Sequence, residues 1–300
     1  MADIGGPGDA AVRKELAAAA ARVDFPTGRG TMVVPEEVIR RLARERTAAR
    51  GPEAFAAAKR ALELQALEDG LCPRRYLRNI ATFGLTGQAR LLRARVGVAG
   101  LGGLGGLAAE LLARAGVGEL VLVDPDTLSE DNLNRQLLAT EDKLGRPKVA
   151  AALARLRKVN SAVSVQVHRR RADRESFVRL FAGAAVVVDA LDNLPSRFDL
   201  QEAARSLDVP LVHGAIAGLS GHLTTIFPAD PGLEVLYGPR GGAPVAGVET
   251  LVGNPSATPA TIAALQVQEV LKILTGVGQP LRRRLLVLDA LSAYTAVIEL

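Results

Sequence analysis

The residues from Val96 to Lys148 carry the densest set of groups able to hold an anion. The run VGVAGLGGLG places Gly100, Gly102, Gly103 and Gly105 directly after an apolar stretch and at the start of an amphipathic one. Glycines in a G-x-G-x-x-G pattern let the backbone turn tightly and approach a phosphate, whose charge the following helix's N–H groups and dipole stabilise. Asp124 ends the next apolar run, about 20 residues on, where a carboxylate commonly takes ribose hydroxyls. Up to this point the pattern suits NAD as well as ATP. Asn132, Asn134, Arg135, Gln136 and Lys148 then follow within VLVDPDTLSEDNLNRQ and GRPKVA. A dehydrogenase has no use for so many donors there. An enzyme splitting ATP between its α and β phosphates does, because charge builds on the leaving pyrophosphate. Arg135 offers a fork to phosphate oxygens and Lys148 a mobile point charge. The plainer alternative is a polar surface turn with solvated side chains.

A second acidic group lies in VVVDALDN. Asp189 and Asp192 fall at the end of the fourth strand of the nucleotide fold, and ligands of open α/β sheets gather at such carboxyl ends. Asp192 is placed to hold Mg²⁺ between phosphates. The competing role is a helix N-cap, since Asp192, Asn193 and Ser196 precede a helix. Asp189 reads as a structural group. Of the three histidines, His168 sits near a strand end and His222 on an alternating strand. His213, at the carboxyl end of the fifth strand, reads as a core or hydrogen-bonding residue.

The elements that must position these groups are legible as alternating patterns. Short Val/Leu runs, VGVAG, ELVLVD, VSVQVH, AAVVVDA and PLVHGAI, suit strands covered on both faces, as in a parallel sheet. Helices are expected near 104–115, 147–159, 173–182 and 196–207. After Gly214 an alternating strand, GHLTTIFPAD, leads to a Gly/Pro-rich stretch over 229–257. The helix TPATIAALQVQEVLKILTG and two strands, RLLVLDA and YTAVIEL, close the chain. Before residue 93 the chain looks helical, in AAVRKELAAAAARV, PEEVIRRLARERTAA and GPEAFAAAKRALELQALEDG, with Pro26, Gly28, Gly30, Pro35, Gly51 and Pro52 as punctuation. The fold class is therefore α/β: a Rossmann-like, mostly parallel sheet with helices on both faces, C-terminal antiparallel strands and an N-terminal helical extension. The extension spans 1–73 and the nucleotide-binding domain spans 74–300.

Composition narrows the setting. The 300 residues suit one large domain with an appendage. A net charge of +5 attracts phosphates or an acidic partner, but the cations are interspersed with acids and only runs such as Arg169–Arg171 and Arg282–Arg284 cluster. With no Trp and few aromatics, stacking platforms for bases are scarce, and a nucleic-acid surface is not expected. Cys72 is the single cysteine, which excludes an internal disulfide and a cysteine-built zinc site. The opening residues lack an apolar signal core and no apolar run reaches a membrane span, so the chain reads as cytoplasmic with no membrane contact.

In combination, RYLRN, GLGGLG, VDPDTLSEDNLNRQ, GRPK, DALDN and PLVHGAIAGLSGHL resemble the ThiF/MoeB/HesA family. These are bacterial relatives of ubiquitin-activating enzymes that adenylate the C-terminal glycine of a small ubiquitin-like protein. The resemblance runs from about Tyr76 to the C-terminus. It implies that Asp124 and Asp126 lie near the nucleotide, with Asp124 on the ribose. It also implies that Asn132, Arg135, Gln136 and Lys148 handle phosphates or order their loop, and that Asp192 supports Mg²⁺ and is essential. Arg78 matches an arginine that reaches into the neighbouring subunit's site, which implies a homodimer with shared sites.

Two departures matter. Many relatives bind zinc through two CxxC pairs, and this chain has neither pair, so zinc is not expected. Some use a cysteine in the loop matching 229–257 to bond their partner covalently, and here that loop has none. Cys72 lies before the matching core and reads as a small apolar residue. The expected activity is ATP- and Mg²⁺-dependent adenylation of a Gly-Gly-ended sulfur carrier, of molybdopterin, tungstopterin or thiamine type, with a separate sulfurtransferase completing the sulfur chemistry. The alternatives are adenylation-driven cyclisation of threonylcarbamoyl-adenosine in tRNA and, from another class, an NAD-dependent oxidoreductase.

Overall fold

The computed structural model describes residues 7–25, 30–48, 50–240 and 252–300. Pro26, Gly28 and the 241–251 part of the expected Gly/Pro-rich stretch lie outside the described residues. An eight-stranded sheet organises the larger part of the chain. Its strands are β4 (Arg95–Ala99), β5 (Glu119–Val123), β6 (Ser164–His168), β7 (Val186–Asp189), β8 (Leu211–Ala217), β9 (Ser220–Ile226), β10 (Arg284–Asp289) and β11 (Tyr294–Glu299). They lie in the order β11-β10-β9-β8-β7-β4-β5-β6. Every pairing from β6 through β8 is parallel, and β8–β9, β9–β10 and β10–β11 are antiparallel.

The unbroken apolar runs have a direct structural cause. Leu120, Leu122, Val186 and Val188 face one core, with α5 (Gly105–Ala115), α6 (Lys148–Val159) and α10 (Ala257–Thr275) packed over it. Their neighbours Val121, Val123 and Val187 face a second core, closed by Phe177 and Phe181 near α7 (Arg174–Leu180) and by Phe198 and Leu200 of α8 (Leu194–Ser206). A strand covered on both faces must be apolar at every position, not at alternate ones. The antiparallel end is wetter: Tyr294, Val297 and Ile298 of β11, the edge strand, are exposed.

The N-terminal part contains the expected helices α1 (Pro7–Ala19), α2 (Glu36–Thr47) and α3 (Pro52–Glu68), together with strands that the helical reading did not foresee. β1 (Ala21–Asp24) and β2 (Gly30–Val34) pair antiparallel, and β3 (Leu71–Pro73) runs parallel to β2. Helix α1 therefore stops at Ala19, and Val23 belongs to a strand instead of the helix's last turn. Val33 and Val34 are both buried, and Val34 packs with Ile39, Leu42 and Leu62. Burial of two adjacent β-branched residues favours the extended strand over continued helix. Helix α4 (Leu77–Arg93) bridges the two parts and bends at Gly84, whose φ of 66° breaks the helical run between PRRYLRNIATFG and LTGQARLLRA. Among the described residues no helix is long and apolar enough to cross a membrane.

Candidate functional site

Between β4 and β7 the strand order reverses, and at the carboxyl ends of these strands a cavity of about 750 Å³ opens. Such a switch point is where open α/β sheets bind ligands. The loop after β4 forms one wall. Gly100 has φ of +90°, and a Cβ on it would lie 2.4 Å from the Ala190 carbonyl oxygen. At Gly105, the first residue of α5, a Cβ would meet the Gly100 oxygen at 1.9 Å. Only glycine permits this turn and the close seating of the helix start upon it. Gly102 and Gly103 line the cavity directly.

Asp124 follows β5 and is only 4% exposed. Its Oδ2 accepts the Leu101 N–H at 2.7 Å and its Oδ1 the Asp126 N–H at 2.8 Å. The carboxylate thus pins the glycine loop to the end of β5, and each oxygen keeps a lone pair for a further donor. Burial raises its pKa above the ordinary value, against the opposing charge of Lys148.

Lys148 opens α6, is buried, and lies with its Nζ 3.0 Å from Asp126 Oδ2. Its backbone N–H also donates to the Asp126 carbonyl at 3.0 Å. One of three ammonium donors is thereby used, and the side chain is held at the cavity wall.

The loop after β5 divides its labour. Asn132 Oδ1 accepts the Ser129 N–H, closing a capping box, and Asn134 Nδ2 donates to the Asn254 carbonyl at 3.2 Å. Arg135 donates through Nη1 to the Asp131 carbonyl at 2.7 Å and to Asn134 Oδ1 at 2.9 Å. Asn132 and Asn134 therefore order the loop, while Arg135 and Gln136 face the cavity with it. The Oε1 of Gln136 and the Oδ1 of Asn254 are buried there without a hydrogen-bond partner among the described residues. Buried polar atoms are rarely left orphaned, so this wall suits a polar ligand.

The competing roles of Asp192 separate cleanly. The cap of α8 is Asn193, whose Oδ1 accepts the Ser196 N–H at 3.0 Å. Asp192 stays exposed on the cavity wall, with Oδ1 accepting from Asn193 Nδ2 at 3.1 Å. Among the described residues no cluster of three or more His, Cys, Asp or Glu could hold a metal by itself. A lone carboxylate fits Mg²⁺, which binds through one or two carboxylates, substrate phosphates and water.

Behind this wall lies a buried polar network. Asp189 and His213 are fully buried, with Oδ2 and Nδ1 2.7 Å apart. His213 Nε2 lies 2.9 Å and His222 Nε2 3.0 Å from the Tyr237 hydroxyl, at the end of α9 (Glu234–Tyr237). Burial alone would raise the Asp189 carboxyl, but the Arg197 charge and the His213 hydrogen bond hold it below the ordinary range. Burial pushes His213 down despite Asp189. Burial, with the nearby Arg197 charge added, takes His222 down to about 3.

One cavity thus gathers Gly100, Gly102, Gly103, Asp124, Asp126, Asn132, Arg135, Gln136, Lys148 and Asp192. Arg78 does not join them; it is exposed in the first turn of α4. The sequence treated Arg169–Arg171 only as a charge cluster, yet all three line the cavity, as do Arg197 and Asn254. For the arginine run the available signal was its place immediately after β6, at the same carboxyl edge.

The ThiF family model matches residues 76–299. The SAMP-activating enzyme E1 of Haloferax volcanii is 40% identical over 220 residues, covering 72% of this chain and 81% of that protein. The sulfur carrier protein adenylyltransferase of Thermus thermophilus is 35% identical over 226 residues, covering 70% and 80%. Other relatives are longer, and the chain spans about half of their length. Among solved structures, E. coli MccB with MccA-N7isoASN superposes with a TM-score of 0.64 at 18% identity, covering 94% of this chain and 95% of that one. That likeness extends the shared fold to the N-terminal part.

Proposed function

The chain belongs to the ThiF family, and on that footing we propose that it adenylates the C-terminal glycine carboxylate of a small ubiquitin-like sulfur-carrier protein. The observation that carries the reading is the convergence of the glycine loop, Asp124, Arg135, Lys148 and Asp192 on one cavity. Family membership replaces the oxidoreductase alternative.

The chemistry needs no general base. A carboxylate ionised at neutral pH attacks the α-phosphate in line: a C–O–P bond forms, the bond to the β-phosphate oxygen breaks, and pyrophosphate leaves with the electron pair. Catalysis is then positioning and charge neutralisation. The Gly100–Gly105 turn and the start of α5 seat the phosphates, and the free lone pairs of Asp124 accept ribose hydroxyls. Lys148, held by Asp126, and Arg135 offset the charge growing on pyrophosphate. Asp192 is the residue that would hold Mg²⁺, and the ion would supply further charge neutralisation to the phosphates. In this reading Arg78 enters from a second subunit, and a separate sulfurtransferase converts the adenylate to a thiocarboxylate.

ATP–pyrophosphate exchange tests the proposal. Exchange should require a Gly-Gly-ended carrier, and Asp192→Ala should lower it by at least about a hundredfold. Exchange without carrier, or driven by tRNA instead, would sink the carrier assignment.

A further inference from the structure

Among the described residues, the contacts of the hydrogen-bond chain behind Asp192 fit one proton arrangement. Asp189 is ionised, so it accepts the Nδ1–H of His213. A neutral His213 then keeps a lone pair on Nε2 and takes the single hydroxyl proton of Tyr237. With that proton committed, the Tyr237 oxygen accepts from His222 Nε2 and from Arg197 Nη1, the latter at 3.3 Å. Arg197 also donates through Nε and Nη2 to the Leu191 carbonyl, at 3.1 and 2.7 Å. The Leu191 N–H in turn donates to Asp189 Oδ1 at 3.0 Å. Both backbone groups of the residue preceding Asp192 are therefore clamped by members of this network.

We infer that Tyr237 is a positioning residue for Asp192, acting through Arg197 and the His213–Asp189 pair on the backbone of Leu191. Tyr237 is not among the residues that line the cavity. Replacing its hydroxyl by hydrogen leaves His213 Nε2 and His222 Nε2 short of a partner and removes one anchor of the Arg197 fork. Leu191 is then held less firmly, and the carboxylate one residue on loses its fixed approach to the phosphates. A misplacement of about 1 Å at such a group costs roughly a hundredfold in rate. The functional half of this inference rests on the adenylation reading; the structural half does not.

The test uses the full-length Tyr237→Phe protein and two readouts. Amide hydrogen exchange, measured without any ligand, should quicken roughly tenfold at Leu191 and its neighbours within 190–193 and stay unchanged in β4 and β5. In carrier-dependent ATP–pyrophosphate exchange, kcat should fall about tenfold to a hundredfold while KM for ATP moves less than about twofold. Arg197→Lys, which keeps the charge but loses the fork, should reproduce both effects. Wild-type protection at 190–193, or protection lost evenly across the sheet, overturns the inference. So does a quickened 190–193 with kcat unchanged. If no exchange activity exists even in the wild type, the adenylation reading fails, while the amide measurement still decides whether Tyr237 holds Leu191.

Discussion

Single residues in this molecule are tuned chiefly by burial. The Cys72 thiol is pushed up to about 12 by burial, and it donates to the Pro73 carbonyl at 3.3 Å. It is protonated at neutral pH and is no nucleophile, in keeping with its reading as a small apolar residue. His222 shows the opposite shift for the same reason, since burial penalises its cationic form and brings it to about 3 from 6.5. The folded pKa lies below the unfolded one. Between pH 6.5 and 3 the unfolded chain therefore binds more protons, and stability falls as pH drops. At pH 5 this single group costs about 2 kcal/mol relative to pH 7. His222→Gln, which can still donate to Tyr237, should remove that part of the acid sensitivity. Urea unfolding of both proteins at pH 7 and pH 5 measures it: the gap between them should narrow by about 2 kcal/mol on acidification. A gap independent of pH would show that His222 titrates normally in the fold.

At the level of elements, a buried ionic cluster ties the N-terminal helices to the start of α4. Lys59 Nζ, on α3, lies 2.8 Å from Glu36 and 3.1 Å from Glu63, and both Lys59 and Glu63 are fully buried. Arg75 forks onto Glu36 at 3.1 and 2.8 Å, and Tyr76 donates to Glu63 at 2.9 Å while accepting from Asn160 at 3.1 Å. Removing one partner of a buried pair strands the other charge, so Lys59→Met should destabilise by about 3–5 kcal/mol. Adding Glu63→Gln, which still accepts from Tyr76, should recover most of it. Denaturation midpoints of the two variants check this, and equal losses in both would reject the ion-pair account. The sequence offers only the i,i+4 spacing of Lys59 and Glu63, because the other members come from α2 and the turn before α4. The same limit hid the Asp189–His213–Tyr237 chain, whose links each span 24 residues. What could be read were features whose cause is local. The covered strands β4, β5, β7 and β8 show as largely apolar runs, whereas the edge strand β6 is only partly buried. The glycine turn shows as its own motif, and the cavity residues lie at the strand ends where motif and topology coincide. The hairpin β1–β2 was invisible because its strands of four and five residues are too short to reveal a period of two.

The whole molecule raises the question of where Arg78 works. It is exposed and outside the cavity of its own chain, yet the turn preceding it is fixed by Arg75 and Tyr76, both locked into the buried cluster. In the proposed reading this exposed arginine serves a site on another subunit. If each site combines Asp192 of one chain with Arg78 of its partner, subunits carrying Arg78→Ala and subunits carrying Asp192→Ala are each inactive alone. Their heterodimer regains one intact site, because the Arg78→Ala subunit keeps its Asp192 and receives Arg78 from the other. The second site carries both defects. Random pairing makes about half of the dimers mixed, with one of two sites working, so about a quarter of wild-type exchange activity should return. Co-expression with two different tags, tandem purification and ATP–pyrophosphate exchange measure it directly, and the purified heterodimer should reach about half. If Arg78 instead served its own chain, the Arg78→Ala subunit would lack it and the other would lack Asp192. Mixing would then restore nothing.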